Sequence, residues 1–135
     1  MNLFEVHRWV IIRLIVIAIL MSVIAYLIQS YNWNKEMSAI YANSLWIVSF
    51  TNFIAVIVFT IIRPKKNYDQ DDYTNQFSIG KISRNMYLFS IIMFISGLMS
   101  FSSTAARVAY LFFILGTISM PIAHVSYFLW IRKFK

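Results

Sequence analysis

The chain has 135 residues, of which 60% are hydrophobic and 13% are charged, whereas soluble domains average about 25% charged residues. A soluble domain of this length cannot hide so much apolar surface, so the composition predicts that lipid surrounds most of the chain. The absence of cysteine excludes disulfides, thiolate metal sites and thiol redox chemistry. The net charge of +7 is typical of a membrane topology signal and of attraction to anionic lipid headgroups, and we expect no nucleic-acid partner.

Four apolar segments predict a single all-α membrane domain, a compact bundle whose helices span the bilayer at about 9–28, 40–62, 86–101 and 106–131. About 20 apolar residues, at ~1.5 Å rise each, cross a ~30 Å hydrocarbon layer. The third segment is short, and it either tilts little or begins nearer Ile82. The basic start of the first segment is typical of a signal peptide, but the apolar run continues to Ile28, so we expect a spanning helix.

The one sizeable polar segment, 63–85, is predicted to be a cytoplasmic loop that begins where Arg63 and Pro64 end the second helix. Its Asp69, Asp71 and Asp72 invite comparison with a calcium loop. No glycine turn and no bidentate glutamate follow at the required spacing, so a solvated loop is expected instead.

The basic residues predict the direction in which the chain is threaded. In a four-span arrangement, ten of the twelve lysines and arginines fall on the side of the two termini and the long loop, and only Lys35 and Arg107 fall on the other. The positive-inside rule therefore predicts N-in and C-in topology, most simply in a bacterial inner membrane. Tyr87 and Tyr127 are expected in the aromatic belt at the inner interface.

Every predicted span carries a stripe of small residues. Because lipid offers no hydrophobic reason for helices to associate, small residues and interhelical hydrogen bonds must hold them together. These stripes either pack the chain's own bundle, which we favour, or recruit a helix of a partner. The predicted packing residues are Ala18, Ser22, Ala25, Ser49, Ser96, Gly97, Ser100, Gly116, Ser119 and Ala123.

Three polar residues inside the spans are candidate binding residues: Asn52, His124 and Arg13. Asn52 is expected to bond to a serine or a backbone carbonyl of a neighbouring helix, or else to bind a substrate. His124 follows Pro121 by one turn, and it either bonds to a neighbouring serine or marks a functional cavity. Arg13 either extends its side chain to the cytoplasmic headgroups or lines a path.

Neither catalysis nor a bound cofactor is indicated. No carboxylate lies in a span, and no zinc-protease, phosphate-loop or nucleophile-elbow motif occurs. The two histidines are expected at different depths, which disfavours haem, and we predict no cofactor and no metal.

The sequence therefore predicts a non-enzymatic protein acting through helix–helix contacts with another membrane protein or with itself. It would be an accessory subunit of a membrane complex or an immunity-type inhibitor of a membrane-active partner. The alternative is a small homo-oligomeric transporter or channel with a path lined by Asn52, Pro121 and His124. A third interpretation is lipid binding by a basic ring that includes Arg8, Arg13 and Lys65.

Overall fold

A computed structural model describes residues 2–31, 35–65, 78–102 and 106–132, and the described part is all-helical. The helices are α1 (Leu3–Tyr31), α2 (Lys35–Ile61), α3 (Ser78–Ser102) and α4 (Ala106–Arg132). The predicted aspartate cluster at Asp69, Asp71 and Asp72 lies outside the described residues. Helical structure extends beyond the predicted spans, and α3 begins eight residues before its predicted span, within the segment predicted as a loop.

All four helices are long and apolar enough to cross a bilayer. Large apolar side chains also point outward from every helix, for example Leu20, Phe50, Met99 and Leu111, each more than half exposed. Water does not tolerate apolar surface of this extent on a monomeric protein. The four apolar helices and their outward apolar side chains are therefore consistent with a membrane protein.

The ends of α1 and α2 are closed by specific side chains. At the start of α1, the backbone N–H of Glu5 donates to Asn2 Oδ1 at 3.0 Å, and the backbone N–H of Asn2 donates to Glu5 Oε2 at 3.4 Å, which is a capping box. After α2, Arg63 Nε donates to the carbonyl of Thr60 at 2.9 Å. That carbonyl has no helical donor because Pro64 lacks an N–H.

The bundle consists of two helical hairpins, α1 with α2 and α3 with α4, which meet mainly where α2 packs against α4. Hydrogen bonds reinforce each hairpin. Ser49 Oγ lies 2.6 Å from Ser22 Oγ and 2.9 Å from the carbonyl of Ala18, and Ser90 Oγ donates to the carbonyl of Gly116 at 2.7 Å.

The buried core has an apolar cluster in each half. One cluster joins Met21, Leu45, Phe94, Phe113 and Met120 from all four helices. The other joins Leu14, Phe59, Tyr127 and Trp130 from α1, α2 and α4. Buried polar residues of α2, α3 and α4 lie between the two clusters in sequence: Ser49, Asn52, Ser90 and His124. A polar layer therefore crosses the middle of the bundle.

The small-residue stripes face the chain's own helices. Ala18, Ala25 and Ala123 are fully buried. Gly97 stands so close to the ring of Phe113 that a methyl group at residue 97 would lie 2.5 Å from Cδ1 of that ring. Replacing Ala18 or Gly97 by a large residue would therefore disturb the hairpins themselves before it disturbed any partner.

Candidate functional site

Three side chains from three helices meet in the middle of the bundle, and we call them the mid-bundle cluster: Asn52 of α2, Tyr87 of α3 and His124 of α4. His124 Nε2 lies 2.7 Å from Asn52 Oδ1, and His124 Nδ1 lies 2.6 Å from the hydroxyl of Tyr87. Asn52 is fully buried and His124 is 7% exposed. One imidazole thus links the second hairpin to the first.

The hydrogen bonds of the mid-bundle cluster define its protonation. With the amide in this orientation, Asn52 Oδ1 can only accept, so His124 Nε2 carries the proton and donates it. In the neutral ring Nδ1 then accepts from the hydroxyl of Tyr87. Among the described residues, the buried Asn52 Nδ2 has no hydrogen-bond partner. The cluster therefore has one donor group that these residues leave without an acceptor.

A second group, which we call the end cluster, consists of His7 of α1, Phe59 of α2 and Tyr127 of α4. His7 Nε2 donates to the carbonyl of Phe59 at 2.8 Å, and His7 Nδ1 accepts from the hydroxyl of Tyr127 at 2.8 Å. The Phe59 carbonyl belongs to the last turn of α2, where helices leave carbonyls without intrahelical donors. His7 therefore caps α2 from the neighbouring helix.

The ring of Phe59 bridges the two clusters. Its centroid lies 4.9 Å from the ring of Tyr127 and 6.2 Å from the imidazole of His124, with edge-to-face geometry in both pairs. Aromatic pairs with this geometry are favourable. The two clusters thus form one continuous buried strip along the interface of the hairpins. A further hydrogen bond, from the Tyr41 hydroxyl to the carbonyl of Phe94 at 3.2 Å, crosses that interface at its other end.

The structure brings two of the three predicted binding residues together and leaves the third apart. Asn52 and His124 bond directly to each other, whereas we expected Asn52 to bond to a serine or a backbone carbonyl and His124 to bond to a serine. Arg13 lies on the exposed face of α1. Pro121 is also exposed, and it lines an apolar groove between α2 and α4.

Sequence reasoning missed the end cluster. We expected His7 just outside the inner end of the first span, and its side chain is 5% exposed and bonds to residues of α2 and α4. We also expected Tyr87 and Tyr127 to serve as interfacial anchors, whereas their hydroxyls bond to the two histidines. The spacing of His7 from Leu3 and Leu14 places all three on one face of a helix, a pattern that could have indicated its burial.

Neither histidine has a ring nitrogen available as a ligand, because both nitrogens of His7 and of His124 are engaged in hydrogen bonds. Among the residues that the structure describes, no three His, Cys, Asp or Glu side chains are grouped as a metal site would require. The chemistry of the two clusters is therefore that of hydrogen bonding between helices.

Two concave surfaces adjoin the clusters. The groove, of about 270 Å³, lies between α2 and α4, and its lining includes Ile54, Val58, Pro121, His124 and Val125. The cleft, of about 490 Å³, lies between the start of α1 and the residues after α2, and it is lined by Phe4, His7, Arg8, Ile11, Ile12, Arg63 and Pro64. The groove is apolar, whereas the cleft carries two arginines.

Comparison of the chain with protein-family models, with curated proteins and with solved structures gave no match. The function is therefore argued from the geometry of the clusters, the groove and the cleft.

Proposed function

We propose that this protein is a non-enzymatic membrane protein that acts through helix–helix contacts in lipid, as an accessory subunit of a membrane complex or as an immunity-type inhibitor of a membrane-active partner. One observation carries the proposal. The buried histidines and Asn52 bond across the chain's own hairpins, while an apolar groove remains open on the outer surface. The buried polar groups of the protein thus stabilise its own bundle, and its outer surface is suited to contact with another helix.

The proposed location is a bacterial inner membrane, with both termini in the cytoplasm. Four helices long enough to cross the bilayer support termini on the same side. The concentration of ten of the twelve basic residues beside the termini and the 63–85 segment supports the cytoplasmic side.

The absence of cysteine makes this topology testable with single introduced cysteines. Lys135→Cys should react with a membrane-impermeant maleimide only after the cells are opened. Asn34→Cys, between the first two predicted spans and therefore on the predicted outer side, should react in intact spheroplasts. The reverse pattern would contradict the topology, and labelling of both sites in intact spheroplasts would contradict it as well.

The proposed docking site is the groove, and its proposed occupant is a transmembrane helix of a second protein. The groove has an apolar lining that includes Ile54, Val58 and Val125, and helices in lipid associate by close packing. A partner helix with small residues on its contact face would pack closely into this groove.

Photo-crosslinking in native membranes tests the docking site. A benzophenone amino acid at Ile54 or Val125, both in the groove, should give an adduct with one second polypeptide. The same residue at Ile19, which is equally exposed on α1, is the matched control and should give no such adduct. Equal adducts at all three positions would contradict docking in the groove, and so would an adduct with a second copy of this chain.

A second candidate function, a small homo-oligomeric transporter or channel, is favoured by the unpaired Asn52 Nδ2 and by the position of His124 in the lining of the groove. In proteoliposomes this function predicts a proton or cation flux that His124→Phe and Asn52→Leu abolish. His7→Phe is the control, since it disturbs a buried histidine outside the groove. Absence of flux in the wild-type protein, or equal loss in all three variants, would contradict the transporter.

A further inference from the structure

The cleft has the size and position of a ligand site at the edge of the apolar spans. Its volume of about 490 Å³ falls within the ~300–1,000 Å³ typical of small-molecule sites. It lies where the first turns of α1 adjoin Arg63 and Pro64, just beyond the end of α2. This is the level at which a spanning helix meets lipid headgroups.

The polar side of the cleft is positively charged. Arg8 and Arg63 come from different parts of the chain and line the same cleft. The bond from Arg63 Nε to the Thr60 carbonyl orients that guanidinium and leaves its terminal amino groups available. Guanidinium groups bind phosphate oxygens in pairs, with favourable geometry and charge.

Among the described residues, no acidic side chain forms an ion pair with Arg8 or Arg63. Glu5 is the one acidic residue whose side chain the described part of the chain includes, and its carboxylate accepts from the backbone N–H of Asn2 in the capping box. The two arginines therefore present their charge to the cleft.

The other side of the cleft is apolar and continues along α1. Phe4, Ile11 and Ile12 line the cleft. Val16 and Leu20 follow Ile12 at four-residue intervals, and all three are exposed, so they lie on one face of the helix. An apolar track thus leads from the arginines toward the middle of the helix, which suits an acyl chain.

We propose that the cleft binds one anionic phospholipid, with its phosphate between Arg8 and Arg63 and an acyl chain along the track of Ile12, Val16 and Leu20. The phosphate is the shared chemistry of a lipid headgroup and of free phosphate, and the apolar track selects the lipid. The proposal rests on the membrane insertion proposed above, and it is independent of any partner in the groove.

Native mass spectrometry of the full chain in detergent, titrated with phosphatidylglycerol, tests the site. Arg8→Gln/Arg63→Gln should weaken binding of the first lipid about thirty-fold, since each basic residue near the surface contributes about fivefold and the two contributions multiply. Arg13→Gln/Arg132→Gln removes the same charge from exposed positions outside the cleft and is the matched control. It should retain the wild-type affinity for the first lipid.

Three further samples separate the possible ligands and guard against misfolding. Arg8→Lys/Arg63→Lys should recover part of the affinity, because it retains the charge but loses the paired geometry. Phosphatidylcholine should bind the wild-type protein much more weakly than phosphatidylglycerol. Glycerol 3-phosphate at the same concentration should not displace the bound lipid.

Particular results would overturn the proposal. Equal weakening in the Arg13/Arg132 control would assign binding to the overall basic charge instead of the cleft. Equal affinity for phosphatidylcholine would show that the arginines do not select the headgroup. Displacement of the lipid by glycerol 3-phosphate would assign the cleft to a soluble phosphate.

Discussion

Replacing Asn52 by leucine removes the acceptor of His124 Nε2–H and leaves that donor buried between α2 and α4. Interhelical hydrogen bonds in membranes contribute about 0.6 kcal/mol on average and about 1.7 kcal/mol at most. A buried donor left without a partner costs about 1–3 kcal/mol. We therefore expect Asn52→Leu to lower the free energy of unfolding by about 1–3 kcal/mol.

His124→Phe should lower the free energy of unfolding further, by about 2–4 kcal/mol, because the imidazole makes two hydrogen bonds. Its loss leaves both Asn52 Oδ1 and the hydroxyl of Tyr87 without this partner. In the double variant, the free energy of unfolding should fall by less than the sum of the two single decreases. The reason is that the double variant leaves no donor or acceptor without a partner at the contact between α2 and α4. The difference, about 1 kcal/mol, measures the coupling between the hairpins.

Unfolding in mixed micelles with increasing SDS, followed by the fluorescence of the four tryptophans, provides these free energies. Ser30→Ala is a suitable control, since Ser30 Oγ bonds only to the carbonyl of Tyr26 within its own helix and is exposed. Its effect should stay within about 0.5 kcal/mol. Strictly additive losses for Asn52→Leu and His124→Phe would refute the proposed link between the hairpins.

Two further predictions use the same unfolding measurement. Gly97→Ala should destabilise the protein by about 1–3 kcal/mol, because the added methyl group would overlap the fully buried ring of Phe113. Gly116→Ala should lower the free energy of unfolding by less, because its methyl group would stand 3.0 Å from the nearest ring. Equal decreases for the two variants would contradict the packing argument. His7→Phe should cost about 1–3 kcal/mol, because it leaves a last-turn carbonyl of α2 and a tyrosine hydroxyl without partners. Arg13→Gln, on the exposed face of α1, should change stability by no more than about 0.5 kcal/mol, and a loss as large as that of His7→Phe would contradict its placement.

The four helices were predictable because long apolar runs are a strong signal and their lengths match a bilayer. Their starts were less predictable. The first span was predicted to begin near Trp9, and the helix that contains it begins earlier, at Leu3. Asn2 followed by Glu5 three residues later is a capping pattern, and it indicates the start of the helix, which hydropathy does not.

The candidate site was predictable in part. Asn52 and His124 were recognisable because polar residues are costly within apolar helices. Their mutual bond was not predictable, because it depends on how the two hairpins dock, and the sequence of either hairpin does not specify the other's position. The roles of Tyr87 and Tyr127 were hidden for the same reason. A tyrosine near the end of a span serves equally well as an interfacial anchor or as a donor to a buried histidine.

The most direct test of the central claim, that this protein acts by helix contact with a partner, is native mass spectrometry of the protein purified gently from its own membranes. The account predicts one second polypeptide in equal amount with the 15.9 kDa chain. The variant Val125→Trp, which fills the groove, should lose this polypeptide, and Ile118→Trp, at an exposed position of α4 outside the groove, should retain it. A homo-oligomer without a second polypeptide would contradict the account and favour the transporter. A second polypeptide retained equally by both variants would contradict docking in the groove.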